Sequence, residues 1–66
     1  MISQLIVNYV QKAVHPVSGD EIVNMAVSNG YEVSQAAGGT GAAVRDGGIK
    51  VIDTLHIKGR KVNFFK

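Results

Sequence analysis

The sequence predicts an α+β fold in which three helices are followed by a C-terminal β-hairpin. An amphipathic stripe near the N-terminus, a helix-start signature after it, and a late run of β-branched residues around a turn support this prediction. A chain of 66 residues has room for one domain and hides only about 60% of the surface that its unfolded form exposes. We place the helices over about residues 2–14, 18–29 and 35–46, and the hairpin over about residues 49–65.

The first helix is indicated by apolar residues that recur at the spacing of one helical face. They are Ile2, Leu5, Ile6, Tyr9, Val10 and Ala13. Polar side chains occupy the opposite face, and Val7 interrupts this division. Because the residue before a proline is pushed out of the α region, the helix is expected to end at His15-Pro16.

A capping box predicts the start of the second helix. Ser18 lies three residues before Glu21, a spacing at which each side chain satisfies a backbone N–H of the other residue. Val17 and Ile22 then occupy the two positions of a hydrophobic staple. The helix is expected to end at Gly30, because glycine tolerates the left-handed backbone conformation.

The third segment is rich in alanine and glycine and leaves two interpretations open. In the first, Ser34 or Thr40 caps a helix whose inward residues are Ala37, Gly41 and Val44. In the second, a long loop leads to a short helix over residues 41–46. Each interior glycine costs about 1 kcal/mol relative to alanine, so either helix depends on tertiary packing.

The hairpin is predicted to turn at Gly59-Arg60, with glycine first as a type II′ turn requires. This register divides the hairpin into an apolar face that is expected to point inward and a polar face. The apolar face is formed by Leu55, Ile57, Val62 and Phe64. The polar face is formed by His56, Lys58, Lys61 and Asn63. A turn at Lys58-Gly59 would instead set Asp53 opposite Phe64 and mix the faces. A break at Asp53 indicates a β-bulge.

Charge is distributed unevenly along the chain. Residues 1–44 contain one basic and three acidic side chains, whereas residues 45–66 contain six basic and two acidic ones. The net charge is therefore −2 in the first part and +4 in the second. A basic end indicates a polyanionic partner, although lysines on an exposed hairpin also block edge-to-edge aggregation.

No catalytic constellation can be assembled from the sequence, and we expect neither an enzyme nor a bound metal or cofactor. The chain has no cysteine, and His15 and His56 are far apart. The acids Asp20 and Glu21 have a structural role at a helix start. The glycine cluster at residues 38–41 lacks the lysine and the spacing of a P-loop.

The order of these elements resembles the winged helix-turn-helix family over nearly the whole chain. The stretches that carry the resemblance are residues 6–13 and 16–22 for the first two helices, Val33-Ser34 for the turn into the recognition helix, Val44 with Gly48-Ile49 for its end, and Gly59-Arg60 with Val62 and Phe64 for the wing. This resemblance implies duplex DNA as the partner, with the third helix in the major groove and the wing on the backbone or minor groove.

Eight residues carry this expectation, with the third helix supplying the groove-facing ones and the wing the phosphate contacts. The groove-facing candidates are Gln35, Thr40 and Arg45; the wing candidates are Lys58, Arg60 and Lys61, and Lys50 and His56 complete the set. Recognition helices of the family are normally rich in polar and basic side chains, whereas this segment is mostly alanine and glycine. The wing is therefore expected to carry more of the binding than usual.

The resulting expectation is a small DNA-binding protein, a transcriptional regulator or architectural factor of a phage, plasmid or bacterium, for which a homodimer would suit paired half-sites. One alternative is a winged-helix module that binds a protein, such as a phage-encoded inhibitor or adaptor of a host protein, through Val7, Tyr31 and Phe65. Another is a single-stranded nucleic-acid binder that stacks bases on Phe64 or Phe65. With no apolar run of about 20 residues and no secretory signal, we expect a cytoplasmic protein without a membrane partner.

Overall fold

The computed structural model describes residues 2–66 of the chain. Its elements are α1 (Ile2–Lys12), β1 (Val17–Ser18), α2 (Gly19–Ser28), α3 (Val33–Arg45), β2 (Val51–Ile57) and β3 (Arg60–Phe65). The strands form one antiparallel sheet in the order β1-β3-β2. The predicted α+β class, with three helices and a C-terminal hairpin, is confirmed. The short strand β1 is additional, and it extends the hairpin to a three-stranded sheet.

The core lies between α1, α2, the end of α3 and one face of the sheet. Its buried members are Ile6, Val10, Val17, Ile22, Ala43, Ile49 and Phe65. Most of the apolar stripe predicted for α1 is confirmed, since Ile2, Tyr9 and Ala13 pack against these residues, but Leu5 does not belong to the cluster and Val7, outside the stripe, does. The helix ends at Lys12, two residues earlier than predicted.

The start of α2 follows its sequence signature in part. The Ser18 hydroxyl accepts the backbone N–H of Glu21 at 3.1 Å, as the capping box predicts. The Glu21 carboxylate instead accepts a hydrogen bond from the Tyr9 hydroxyl at 2.6 Å and so ties α2 to α1. Val17 and Ile22, at the staple positions, are both fully buried. Gly30, with a φ of 92°, ends the helix as expected.

Helix α3 begins at Val33, so both sequence interpretations of this segment are wrong about its start. Glu32 is the N-cap residue, and it exchanges side-chain and backbone hydrogen bonds with Gln35 in a capping box. Neither Ser34 nor Thr40 caps the helix. Glutamate is not among the residues usually found at the N-cap position, so the sequence does not indicate that the helix starts here.

The inward face of α3 also differs from the prediction. Its buried residues are Ala36, Gly39 and Ala43, and of the residues expected inside only Val44 packs against the core, while Ala37 and Gly41 are exposed. A Cβ atom on Gly39 would lie 3.0 Å from carbon atoms of both Ile2 and Ile6. The glycine therefore permits α1 and α3 to approach closely.

The hairpin turns at Lys58-Gly59, one residue before the predicted turn at Gly59-Arg60. Both turn residues have positive φ, 52° and 77°, as a type I′ turn requires. Ile57 therefore lies opposite Arg60, and Asp53 lies opposite Phe64. The bulge is confirmed as a register shift between Val51 and Asp53.

The two faces of the sheet can be assigned from this register, since residues directly opposite one another share a face. Val17 lies opposite Phe65, and both are buried in the core, so this is the inner face. The other face, here called the outer face, carries Asp53, Leu55, Ile57, Val62 and Phe64. The predicted apolar set thus shares one face, which is the face opposite the buried Phe65; its β2 members Leu55 and Ile57 are 43% and 47% exposed, whereas Val62 is buried and Phe64 half-buried.

Candidate nucleic-acid interface

A cleft of about 240 Å³ separates the hairpin of β2 and β3, here called the wing, from the helices. Its walls include Ala37 and Thr40 of α3 and Arg60, Lys61 and Asn63 of β3. The fold thus brings three residues of the predicted DNA-binding set, Thr40, Arg60 and Lys61, to one place. Lys61 reaches the cleft from the inner face of β3, and Arg60 is held there by its contact with Asp20 of α2.

Arg60 is already paired within the protein. Its Nη2 atom donates to both carboxylate oxygens of Asp20, at 2.9 and 3.1 Å. Both side chains are more than half exposed, so the pair contributes roughly 0–1 kcal/mol to stability. The sequence did not reveal this contact, because the two residues are 40 positions apart and Asp20 has a sufficient local explanation as a helix-start acid.

The remaining wing cations are exposed and unpaired. Within residues 2–66, the ion pairs involve Arg45 and Arg60, which leaves the charges of Lys58 and Lys61 uncompensated. Lys61 lies on the inner face directly opposite His56, and Lys58 occupies the turn at the wing tip. The predicted wing contacts therefore comprise two available lysines, one exposed histidine and one engaged arginine.

The polar side chains predicted to read DNA bases from α3 are largely occupied within the helix. The Gln35 Oε1 atom accepts the backbone N–H of Glu32 at 2.8 Å, which leaves its amide NH₂ available. The Thr40 hydroxyl donates to the Ala36 carbonyl at 2.8 Å, so it has only acceptor capacity left for a ligand. Few donors on α3 thus face outward.

The exposed surface of α3 is flat as well as poor in donors. One stripe of it consists of Ser34, Ala37, Gly38, Gly41 and Arg45, and Val33 and Gln35 are exposed beside it at the start of the helix. Cβ atoms added to Gly38 or Gly41 would meet nothing within 4 Å. A ligand could therefore approach the helix backbone closely along this stripe, with Arg45 as the cation at its end.

Arg45 and Lys50 lie apart from the wing tip. Arg45 is the last residue of α3, about 15 Å along the helix from Gln35, and its Nε atom is 3.7 Å from the Asp46 carboxylate. Lys50 exchanges backbone hydrogen bonds with Lys66 at 3.2 and 3.1 Å. This pairing places two exposed lysines at the base of the sheet, and Lys66 was not in the predicted set.

The residues expected to serve the two alternative functions, Phe65, Val7 and Phe64, are buried or half-buried. Phe65 is only 4% exposed, so it can neither anchor a protein partner nor stack on a base. Val7 is half-buried, and its Cγ2 would lie 2.6 Å from a Cβ atom on Gly48, so α1 packs directly on the end of α3. Phe64 is half-buried on the outer face.

Tyr9 is the titratable group most clearly affected by its surroundings. The hydrogen bond to Glu21 raises the pKa of Tyr9 above its ordinary value of 10.0, and burial and the carboxylate charge act in the same direction. Elsewhere in residues 2–66, no three His, Asp or Glu side chains come together to hold a metal ion.

The chain was compared with known protein families, curated proteins and solved structures, and no match was found. No helix within residues 2–66 has the length and apolar character needed to cross a bilayer.

Proposed function

We propose that this chain is a small DNA-binding protein of the winged-helix type, acting as a transcriptional regulator or architectural factor. The observation that carries the proposal is the pair of exposed, unpaired lysines on the wing, Lys58 at its tip and Lys61 in the cleft that faces α3. Phosphate contacts of this kind position a protein on a duplex without specifying its sequence.

The composition of the α3 surface favours contact with the sugar-phosphate backbone over base reading. Alanine and glycine offer no side-chain donors or acceptors to base edges, whereas their small size permits close approach. Lys58 and Lys61 at the wing tip and Arg45 at the helix end would then neutralise phosphates on either side of the flat surface. We expect modest affinity and weak sequence preference.

The dimensions of the molecule set the scale of this footprint. The longest extent of the domain is 31 Å, which corresponds to roughly nine base pairs at about 3.4 Å each. A site of this length allows only a few phosphate contacts, so binding should weaken with salt at about 0.9 in log K against log salt for each contact.

The proposal can be tested by fluorescence anisotropy with a duplex of about 20 base pairs across a salt series, since each phosphate contact contributes about 0.9 to the slope of log K against log salt. Replacing both wing lysines (Lys58→Ala with Lys61→Ala) should lower that slope by about 2. The control is Lys12→Ala, which removes one exposed cation from α1 and should leave the slope almost unchanged.

Two results would reject the proposal. The first is an absence of measurable binding to any duplex at low salt. The second is a salt slope that falls equally for the Lys12 variant and the wing variant, because binding would then depend on net charge and not on the wing.

A further inference from the structure

The β2 side of the outer face carries exposed apolar side chains. Ile52, Leu55 and Ile57 are 42%, 43% and 47% exposed. On β3, Phe64 is half-buried and Val62 is buried at 8% exposure, so the exposed apolar surface lies mainly along β2. Contiguous apolar surface on a domain this small is typical of an interface.

Two shallow grooves cross this face. One, of about 360 Å³, is lined by Pro16, Ile52, Asp53, Leu55 and Phe64. The other, of about 270 Å³, lies toward the wing tip, and its walls include Ile57, Lys58, Val62 and Phe64. Phe64 forms the ridge between them, so the face has the relief that interdigitating side chains require.

The charges on the outer face are arranged as a pair of opposites. Asp53 lies at one end of the apolar strip, opposite Phe64, and Lys58 lies at the other end, next to Ile57. They are five positions apart along the chain, about 16 Å at the rise of a strand. Arg60, also at the basic end, is neutralised by Asp20, so Lys58 is the unpaired cation there.

This pattern is self-complementary. In a twofold-symmetric interface, residue i of one copy meets residue j of the other, and j meets i. A twofold axis in the plane between two stacked sheets, crossing β2 near Leu55, reverses the strand direction. It therefore sets Asp53 of each copy against Lys58 of the other and stacks Leu55 and Ile57 between the two charge pairs.

We propose that the outer face is the interface through which two copies of this chain pair, sheet on sheet. The free edge of β2 is the less suitable surface, because the Thr54 backbone N–H already donates to the Asp53 carboxylate at 2.8 Å. The second Asp53 oxygen remains for the lysine of the other copy. This association requires no nucleic acid, and because it uses Lys58, which the proposed DNA binding also uses, it is measured in the absence of DNA.

The area of the face sets the strength of the dimer. The seven residues of β2, the six of β3 and the two of β1, at about 3.3 Å per residue and about 4.8 Å between strands, present roughly 200–300 Å² per copy. This is well below the roughly 800 Å² per partner of a standard stable interface. The dimer therefore dissociates in the micromolar range or above.

Sedimentation equilibrium of the full chain between about 5 and 500 µM, without nucleic acid, tests the proposal by charge exchange. Asp53→Lys and Lys58→Asp each place like charges opposite one another at both ends, so each alone should weaken the dimer by about tenfold. An equimolar mixture of the two variants should restore wild-type association, since every pair is then again of opposite sign.

Two further variants separate the apolar contact from general effects. Leu55→Ser should shift the chain to monomer with an unchanged far-ultraviolet circular dichroism spectrum, because the side chain lies outside the core. Val27→Ser removes an equally exposed valine from α2 and should leave the dimer intact. A wild-type monomer at 500 µM would overturn the proposal and leave a different protein as the occupant. Dimers that ignore the charge exchange, or a mixture that stays monomeric, would also overturn it.

Discussion

Arg60 at the base of the wing turn donates from one Nη2 atom to both carboxylate oxygens of Asp20, at 2.9 and 3.1 Å. The pair joins the wing to the first turn of α2 across the cleft that faces α3. A phosphate that approached this cleft would compete with Asp20 for the guanidinium. The arginine expected to bind DNA is therefore restrained by an internal acid.

Asp20→Asn should release this restraint and strengthen binding to duplex DNA. Removing the carboxylate frees the Arg60 guanidinium and deletes one negative charge from the cleft. We expect affinity at low salt to rise by about threefold to tenfold and the salt slope to steepen by up to about 1. Anisotropy titrations of the variant and wild type over the same salt series measure both quantities.

The control for this prediction is the double variant with Arg60→Ala. If the gain comes from the released arginine, it should disappear when Arg60 is also replaced. A gain that survives in the double variant would instead reflect the lost negative charge alone. Chemical denaturation of each variant checks that the loss of a helix-start acid, worth about 0.3–1 kcal/mol, has not unfolded the chain.

Two glycines of α3 should respond oppositely to alanine. At Gly41 an added Cβ meets nothing within 4 Å, so Gly41→Ala should raise the free energy of unfolding by about 0.5–1 kcal/mol through helix propensity. At Gly39 the added Cβ lies 3.0 Å from Ile2 and from the fully buried Ile6. Overpacking should exceed the propensity gain and lower the free energy of unfolding by about 1 kcal/mol.

Urea denaturation of the two variants measures this difference, and each serves as the control for the other. The two substitutions are identical chemically and lie two residues apart in the same helix. Equal changes in stability would show that α1 and α3 are not in close contact at Gly39.

Stability should decline above about pH 10 as Tyr9 ionises. Its folded-state pKa is raised above 10.0, because the neutral hydroxyl donates to Glu21. The folded state therefore holds this proton more tightly than the unfolded state. The contribution is fully present below the unfolded pKa and is lost as pH rises through the folded one. Tyr9→Phe should remove this dependence, which unfolding measured between pH 8 and about pH 11 would reveal.

Absorbance near 295 nm follows the ionisation directly, and the difference between the wild-type chain and the Tyr9→Phe variant isolates the contribution of Tyr9. A midpoint of this difference at or below the ordinary value of 10.0 would contradict the prediction.

The parts of the fold that sequence predicts well are those with strong local signals. The apolar stripe of α1 and the Ser18 cap of α2 depend on residues within a few positions of one another, and both are present in the structure. The residues of α3 that face the core could not be predicted in the same way. Alanine and glycine differ little in hydrophobicity, so neither Gly39 nor Ala37 is marked as the inward residue.

The hairpin shows a different limitation. Alternating apolar and polar residues usually indicate a strand with one face on the core, so the sequence predicts that the apolar residues of the hairpin point inward. This assumption leads to the wrong turn. The true turn places a lysine, Lys58, at a positive φ that usually belongs to asparagine or glycine. The Asp20–Arg60 pair depends on tertiary structure alone, and no local pattern at either residue indicates the other.

The contact between Gly48 and Val7 has a consequence for how the protein meets a partner. A Cβ on Gly48 would come within 2.6 Å of Val7, so the chain leaving α3 is pressed against α1 before it enters β2. The start of the wing is thereby held in place relative to the helical core. A duplex that bound here would have to fit the space between the wing and α3.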